Sequence, residues 1–127
     1  MSLYKKLLNK IVLLIGPIGA GKTTFVKAFA KKSLCKADVT SPTFNILQTY
    51  EGKDNIIYHF DLYRLEKVAE LEETGFFEFV NQKGTIFIEW ADKLSVERWL
   101  PSHIKIYFKI IDDLTREITF NSSYGNT

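Results

Sequence analysis

The chain has 127 residues and a formal net charge of +2, from 17 basic and 15 acidic residues. That length predicts one domain over residues 1–127, with enough buried apolar surface to fold without disulfides or a structural metal. The near balance of charge gives no ground for a nucleic-acid-binding protein, and the single Cys35 cannot form an internal disulfide. No apolar run is long enough to span a bilayer, and residues 1–10 lack signal-peptide features, so a soluble cytoplasmic protein is expected.

The first half of the chain predicts a strand, a helix and a hairpin. Residues 11–15 form an unbroken apolar run, which is typical of a central parallel strand covered on both faces. Residues 22 to about 33 carry apolar side chains at helical spacing. Residues 45–50 and 55–60 flank a turn-rich segment and predict an antiparallel hairpin.

The middle of the chain predicts a helical region followed by a buried strand. Residues 68–84 have a mostly helical pattern, in which Gly75 and Gly84 are the expected stops. Residues 85–89 form a second short strand with an apolar centre, which again predicts a place inside the sheet.

The last third predicts a short helix and a closing hairpin. Asp92 is expected to cap a short helix that ends before Pro101. Residues 104–110 alternate between apolar and polar side chains, and a further strand is expected to end near Phe120. The polar residues 121–127 are expected to fray. The whole pattern predicts an α/β fold with a mixed, mostly parallel sheet and flanking helices.

One segment carries a phosphate-binding pattern. Gly16–Thr23 matches G-x-x-x-x-G-K-[ST] in full. Its glycines allow the backbone N–H groups to turn inward around an anion, and the helix that follows adds the partial positive charge of its N-terminus. Lys22 can then reach the β- and γ-phosphates, and the Thr23 hydroxyl can ligate Mg²⁺. The apolar strand before the loop and the amphipathic helix after it supply the required context.

A phosphate loop of this kind needs an acidic partner near the end of a neighbouring strand. Asp61 and Glu89 both end apolar strands, and the sequence leaves open which of them orients the attacking water. The guanine-specific N-K-x-D pattern is missing, because residues 81–84 lack the aspartate, and no D-x-x-G pattern begins at Asp61. Adenine is therefore the expected base.

Four motifs in order resemble those of the bacterial TsaE family. They are G-K-T-T-F at 21–25, T-S-P-T-F at 40–44, H-F-D-L-Y-R-L at 59–65 and I-E-W at 88–90. The resemblance runs from about residue 11 to residue 120 and implies a three-layer P-loop NTPase fold. Members of this family are the ATPase component of the machinery that makes threonylcarbamoyladenosine (t6A) next to the anticodon of tRNA. The chain departs from the usual family pattern at Pro17 and Ala91.

The resemblance implies roles for individual residues. Thr23 and Glu89 would hold Mg²⁺, with Asp61 as a further candidate ligand, and Lys22, Asp61 and Glu89 would be the catalytic group. The implied nucleotide-binding residues are Gly16, Pro17, Ile18, Gly19, Ala20, Gly21, Lys22, Thr23, Thr24, Thr43 and Trp90. Arg116, in the predicted final hairpin, is either a contact to nucleotide or to a partner, or an exposed strand residue. The implied activity is slow hydrolysis of ATP to ADP and phosphate. The implied partners are TsaD- and TsaB-type subunits of the transferase complex, which the protein would regulate or reset, with tRNA contacted indirectly.

Other interpretations remain open at the level of sequence. One alternative is a small nucleoside or metabolite kinase, although few residues remain to build an acceptor pocket and a lid; another is a scaffold that binds ATP without hydrolysing it. A basic cluster on the predicted helix is either a solvated face or a contact to tRNA or an acidic partner; its members are Lys27, Lys31, Lys32 and Lys36. His59 is expected to pack or hydrogen-bond beside Asp61. Trp90 is either a shield for the site or an ordinary core residue, and the aromatic residues of 76–79 are expected in the core.

Overall fold

A computed structural model describes residues 2–33, 46–53 and 55–122 of the chain. The centre is a six-stranded sheet in the order β2-β3-β4-β1-β5-β6. The strands are β1 (Ile11–Ile15), β2 (Leu47–Glu51), β3 (Ile56–Asp61), β4 (Thr85–Glu89), β5 (His103–Ile110) and β6 (Arg116–Ser122). The four inner strands are parallel, and the edge strands β2 and β6 run antiparallel to their neighbours. The predicted mixed, mostly parallel sheet is confirmed.

Short helices flank the sheet. They are α1 (Leu3–Leu7), α2 (Lys22–Lys32), α3 (Val68–Glu73), α4 (Phe76–Phe79) and two 3₁₀ helices at Ala91–Leu94 and Val96–Trp99. The sequence did not predict α1, which begins where the Ser2 side chain accepts a hydrogen bond from the Lys5 amide. Within the described ranges, no helix has the length and apolarity needed to cross a membrane.

Strand alternation divides the core between the two faces of the sheet. The face packed against α2, called here the α2 face, buries Val12, Leu14, Ile57, Phe87 and Ile106 against Val26, Phe29 and Ala30 of the helix. The opposite face buries Leu13, Phe60, Ile86 and Ile88 against Leu71, Phe76 and Val96. Phe76 is completely buried, as expected for the aromatic cluster of α4. Both faces of β1 and β4 are therefore covered, which explains their continuous apolar runs.

The predicted hairpin is present, with β2 and β3 paired from Leu47 opposite Phe60 to Glu51 opposite Ile56. The prediction of one helical region over 68–84 was partly wrong. Gly75 lies in the left-handed region at φ 86° and separates α3 from α4, because that backbone conformation interrupts the helical hydrogen-bond pattern. Turns occupy the residues between α4 and β4.

The expectation that Asp92 caps a helix was wrong. The segment after β4 begins at Trp90, whose φ of 61° is left-handed, and Asp92 lies inside the first 3₁₀ helix without a side-chain capping bond. Ser95, at φ 52°, then separates the two 3₁₀ helices. Two left-handed residues only five positions apart prevent a single continuous α-helix from forming here.

The prediction that the chain frays from residue 121 was wrong for residues 121 and 122. β6 continues to Ser122, because Asn121 and Ser122 pair with Lys105 and Ile104 of β5 and complete the antiparallel ladder. Residues 123–127 lie outside the described part of the chain.

Phe87 of β4 anchors α2 to the sheet, so its loss is expected to be strongly destabilising. Its ring is completely buried and lies 5.2 Å from the Phe29 ring and 6.2 Å from the Phe25 ring, both in edge-on geometry. Phe87→Ala is expected to lower the free energy of unfolding by about 3–5 kcal/mol through lost burial and a cavity. Denaturant unfolding of this variant would be compared with Phe120→Ala, whose side chain is 46% exposed. Equal stability losses in the two variants would contradict the assignment of Phe87 as the anchor.

Candidate nucleotide-binding site

The phosphate loop connects β1 to α2, and its glycines are required for two different reasons. Gly16, Gly19 and Gly21 have φ values of 155°, 84° and 101°. A methyl group on Gly16 would come within 2.5 Å of the Phe108 carbonyl oxygen, so β5 packs too closely for any side chain. At Gly19 and Gly21 a methyl group would meet no atom within 4 Å, and there the backbone angle itself demands glycine.

Lys22, the first residue of α2, is held over the loop. The residue is only 6% exposed, and its Nζ donates a 2.7 Å hydrogen bond to the Gly16 carbonyl oxygen. The same Nζ lies 3.5 Å from Glu89 Oε1 and 5.1 Å from the centre of the Trp90 ring. The ammonium group therefore lies between the loop, a carboxylate and an aromatic face, in the place where phosphate charge would be neutralised.

The two predicted carboxylates lie side by side. β3 and β4 are parallel neighbours, and Asp61 pairs directly with Glu89 at the carboxyl ends of the two strands. Phe87, two residues before Glu89, faces α2; because side chains alternate along a strand, Glu89 and Asp61 leave the sheet on that face, beside the phosphate loop. The structure thus brings both carboxylates to the edge of the sheet where ligands bind in open α/β folds.

Glu89 is buried, and each of its two carboxylate oxygens has a partner. It is 4% exposed, its Oε2 lies 2.7 Å from His59 Nε2, and its Oε1 faces Lys22. Burial tends to raise the pKa of Glu89, but the hydrogen bond and charge of His59, with the charge of Lys22, outweigh it and hold the pKa below its ordinary value. Glu89 is therefore a carboxylate at neutral pH.

Asp61 is shifted in the opposite direction. Burial raises the pKa of Asp61 above its ordinary value, the Tyr63 backbone N–H opposes this, and the negative charge of Glu89 adds to the rise. The Tyr63 amide donates a 3.0 Å hydrogen bond to Oδ1. The neighbouring carboxylates therefore differ in character: Glu89 favours the charged state, whereas Asp61 takes up a proton more readily.

The sequence placed His59 beside Asp61, but its hydrogen bond goes to Glu89 on the next strand. The spacing of residues in the sequence partly indicates this contact. His59 and Asp61 are two residues apart in one strand, so both side chains lie on the α2 face, where an acidic side chain of a neighbouring strand can reach them. What could not be read from the sequence was that β3 and β4 are neighbours in the sheet.

Trp90 lies at the edge of the site. It follows Glu89 in the left-handed conformation, and its ring packs 4.9 Å from the Tyr63 ring and close to Lys22. The Trp90 side chain is partly buried, and Lys93 Nζ lies 5.1 Å from the centre of the Tyr63 ring. A strained non-glycine backbone beside a buried ion pair is typical of a functional position.

Arg116 reaches the phosphate loop from the start of β6. Its Nε donates a 3.1 Å hydrogen bond to the Gly19 carbonyl oxygen, although the two residues are 97 positions apart. Its Nη1 donates to the carbonyl oxygens of Asp112 and Thr115 in the turn between β5 and β6. The guanidinium group therefore braces the tip of the loop against the last hairpin.

Arg116→Gln is expected to weaken nucleotide binding moderately, because it removes this brace without touching the loop itself. One exposed charge-assisted hydrogen bond corresponds to about a fivefold loss of affinity. Calorimetry would compare the ATP affinity of this variant with that of the unmodified protein. An unchanged affinity in Arg116→Gln would contradict the brace.

The remaining predicted residues differ in position. Ala20 is buried under the loop, Ile18 is 83% exposed at its tip, and Thr24 is exposed on the first turn of α2. Thr23 is partly buried beside Lys22. Thr43 lies outside the described residues, as do the other residues of the T-S-P-T-F motif.

A cavity of about 610 Å³ adjoins the loop on the side of the 3₁₀ helices. Its walls include Gly16, Pro17, Lys22, Trp90, Ser95 and Arg98. Pro17, predicted to bind nucleotide, thus faces this cavity.

The residues present fit a magnesium ion of the kind that a nucleotide carries. No three His, Cys, Asp or Glu side chains come together as a metal cage in the described ranges. Mg²⁺ usually takes only one or two carboxylates and completes its shell with phosphate oxygens and water. The ionised Glu89 and the Thr23 hydroxyl are a donor set of that kind.

A mostly parallel sheet, a G-x-x-x-x-G-K-T loop after an inner strand and a carboxylate on the adjoining strand define the class of P-loop NTPase-like α/β proteins. Within that class, the family model described as "Threonylcarbamoyl adenosine biosynthesis protein TsaE" matches residues 2–118. The chain belongs to the TsaE family.

Individual relatives agree with this assignment. A Rickettsia felis protein named tRNA threonylcarbamoyladenosine biosynthesis protein TsaE is 41% identical over 119 residues, which are 91% of this chain and 68% of the relative. The Bacillus subtilis protein of the same name is 39% identical over 117 residues, covering 91% of this chain and 71% of the relative. The crystal structure of Bacillus subtilis YdiB superposes with a TM-score of 0.66 at 33% identity, over 92% of this chain and 70% of that one.

Proposed function

We propose that this protein binds ATP with Mg²⁺ at the phosphate loop and hydrolyses it slowly to ADP and phosphate. Through this cycle it supports transfer of the threonylcarbamoyl group to the tRNA adenosine next to the anticodon. The observation that carries the proposal is the position of Lys22, buried between the Gly16 carbonyl oxygen and Glu89 at the mouth of a matched phosphate loop.

The side chains of the site divide the work of hydrolysis. The loop amides, the N-terminus of α2 and Lys22 would stabilise the negative charge that develops on the phosphate oxygens. Thr23 and Glu89 would hold the magnesium ion, which supplies further neutralisation of phosphate charge. Asp61 is the better candidate for orienting water, because its raised pKa favours accepting a proton and its Oδ1 is already fixed by Tyr63.

The pathway assignment comes from the family. Relatives along most of this chain carry the name of a t6A biosynthesis protein. The proposed role is to regulate or reset the transferase, through docking on TsaD- and TsaB-type subunits as nucleotide is bound and hydrolysed.

The pathway role is tested by replacing the resident gene of a t6A-producing bacterium with the gene for this chain. Mass spectrometry of the tRNA nucleosides should show t6A restored relative to the gene deletion. A copy carrying Lys22→Met should leave t6A at the deletion level, with Lys27→Met as the matched control. An unchanged t6A level in the deletion strain, or full restoration by Lys22→Met, would contradict the proposed role.

A small-molecule kinase is a second candidate, and the cavity beside Lys22 and Trp90 is the observation that favours it. At about 610 Å³ the cavity falls within the usual range for small-ligand sites, and Ser95 and Arg98 give it polar groups. A kinase would consume ATP faster when an acceptor is present. ATP consumption would be measured against a panel of nucleosides and phosphate acceptors; a rate that stays at the acceptor-free level throughout would exclude this candidate.

A further inference from the structure

His59 is a completely buried histidine to which the proposed hydrolysis assigns no role. It lies at the centre of β3 on the α2 face and is completely buried, two residues before Asp61. Its Nε2 lies 2.7 Å from Glu89 Oε2. Its Nδ1 has no hydrogen-bond partner within residues 2–33, 46–53 and 55–122. Buried polar side chains in folded proteins usually have hydrogen-bond partners, so the one bond that His59 makes among the described residues needs an explanation.

The Glu89 carboxylate identifies which end of the ring donates. A carboxylate can only accept a hydrogen bond, so the ring nitrogen that lies 2.7 Å from Glu89 Oε2 must carry a hydrogen. That nitrogen is Nε2. His59 is therefore a hydrogen-bond donor to Glu89.

This bond divides the two oxygens of Glu89 between separate tasks. Oε2 is held by His59 of the neighbouring strand, on the α2 face of the sheet. Oε1 faces the phosphate loop, where Lys22 Nζ lies 3.5 Å away. A lone carboxylate could rotate and present either oxygen, or both, to a cation. With Oε2 fixed, only Oε1 remains directed toward the loop.

We propose that His59 is a positioning residue for magnesium-dependent nucleotide binding: its Nε2–H fixes Glu89 Oε2 so that Oε1 is presented to the metal that accompanies ATP. The inference rests on the proposed function. Hydrogen bonds from such supporting residues orient metal-binding side chains, and their loss typically weakens metal affinity by about 10–100-fold. His59 does not touch the nucleotide, so its effect should appear only where the metal takes part.

Two amide substitutions separate this role from a purely structural one. In His59→Gln the amide nitrogen stands at about the same distance from the backbone as Nε2 and can still donate to Glu89. In His59→Asn the amide nitrogen reaches only as far as Nδ1. Both variants bury one uncharged amide, so they match each other in polarity. They differ only in whether the amide nitrogen can reach Glu89.

The readout is the ratio of ATP affinity in Mg²⁺ to ATP affinity in EDTA, measured by calorimetry. His59→Asn is expected to lower this ratio by about tenfold or more, and His59→Gln to keep it within about threefold of the unmodified protein. The inference is overturned if His59→Asn keeps the normal ratio, or if both variants lose it equally. An unmodified protein that binds no ATP would overturn the proposed function and this inference together, whereas normal binding with an unchanged ratio in His59→Asn would overturn the inference alone.

A double-mutant cycle tests whether His59 acts through Glu89. Glu89→Gln should itself reduce the ratio, and adding His59→Asn should then reduce it no further. A further drop of about tenfold in the double variant would show that His59 acts elsewhere, against the proposal.

Imidazole NMR of the isotope-labelled, unmodified protein gives a measurement that needs no variant at position 59. The chain has two histidines, and His103→Gln identifies which signals belong to His59. A hydrogen on Nε2 is expected. A ring without a hydrogen on Nε2 would overturn the proposal even if His59→Asn proved too unstable to study.

Discussion

Lys22→Met is expected to reduce ATP hydrolysis by about 10²–10³-fold and to weaken ATP binding, because it removes the ammonium group that is buried between the phosphate loop and Glu89. Methionine retains most of the aliphatic stem, which packs in a position only 6% exposed, so the change isolates the ammonium group. Phosphate release and ATP calorimetry would measure the two effects.

Lys27→Met is the matched control for this prediction. Lys27 lies on the exposed side of the same helix, so the same substitution there should leave hydrolysis within about twofold of the unmodified protein, as is usual for surface positions. Thermal unfolding of both variants would show whether the fold is intact. A Lys22→Met protein that binds and hydrolyses ATP normally would eliminate the proposed site.

Asp61→Asn is expected to change activity and stability in opposite directions. Loss of the water-orienting carboxylate should lower hydrolysis by about 10²-fold or more. The asparagine keeps an oxygen that can accept the Tyr63 N–H, so the local turn is preserved. Because an ionised Asp61 is held beside the charge of Glu89 in a half-buried position, its replacement should raise Tm by about 1–3 °C without nucleotide.

The pH dependence of this gain follows from the direction of the pKa shift. Because the pKa of Asp61 is higher in the folded protein than in the unfolded chain, the folded protein holds this proton up to a higher pH. Asp61 therefore lowers the free energy of unfolding once the pH rises above its pKa in the unfolded chain. The difference in Tm between Asp61→Asn and the unmodified protein should be largest near neutral pH and vanish below about pH 4. Scanning calorimetry across this range would check the sign; a difference that grows on acidification would contradict it.

Glu89 has the opposite linkage, which makes the two carboxylates distinguishable. Its pKa is lowered, so its contribution to stability is present at neutral pH and is lost as the pH falls below the ordinary value for glutamate. This asymmetry supports the separate roles proposed above, with Glu89 as the charged metal ligand and Asp61 as the group that handles a proton.

Much of the site was determined by the sequence alone. The pattern Gly16–Thr23 specified the phosphate loop, and the apolar runs before Asp61 and Glu89 placed both carboxylates at strand ends. Alternation along a strand also fixes that His59 and Asp61 share a face. These features are local: they depend on backbone angles and on the two-residue repeat of a strand, which neighbouring residues in the chain set among themselves.

The tertiary structure decided which of these local features meet. Only the sheet order puts β4 between β3 and β1, and so brings His59, Glu89 and Lys22 into one chain of contacts. Only the packing of β6 brings Arg116 to Gly19, 97 residues away. Pairing between distant segments depends on how the whole core fits together, and no short stretch of sequence contains that information.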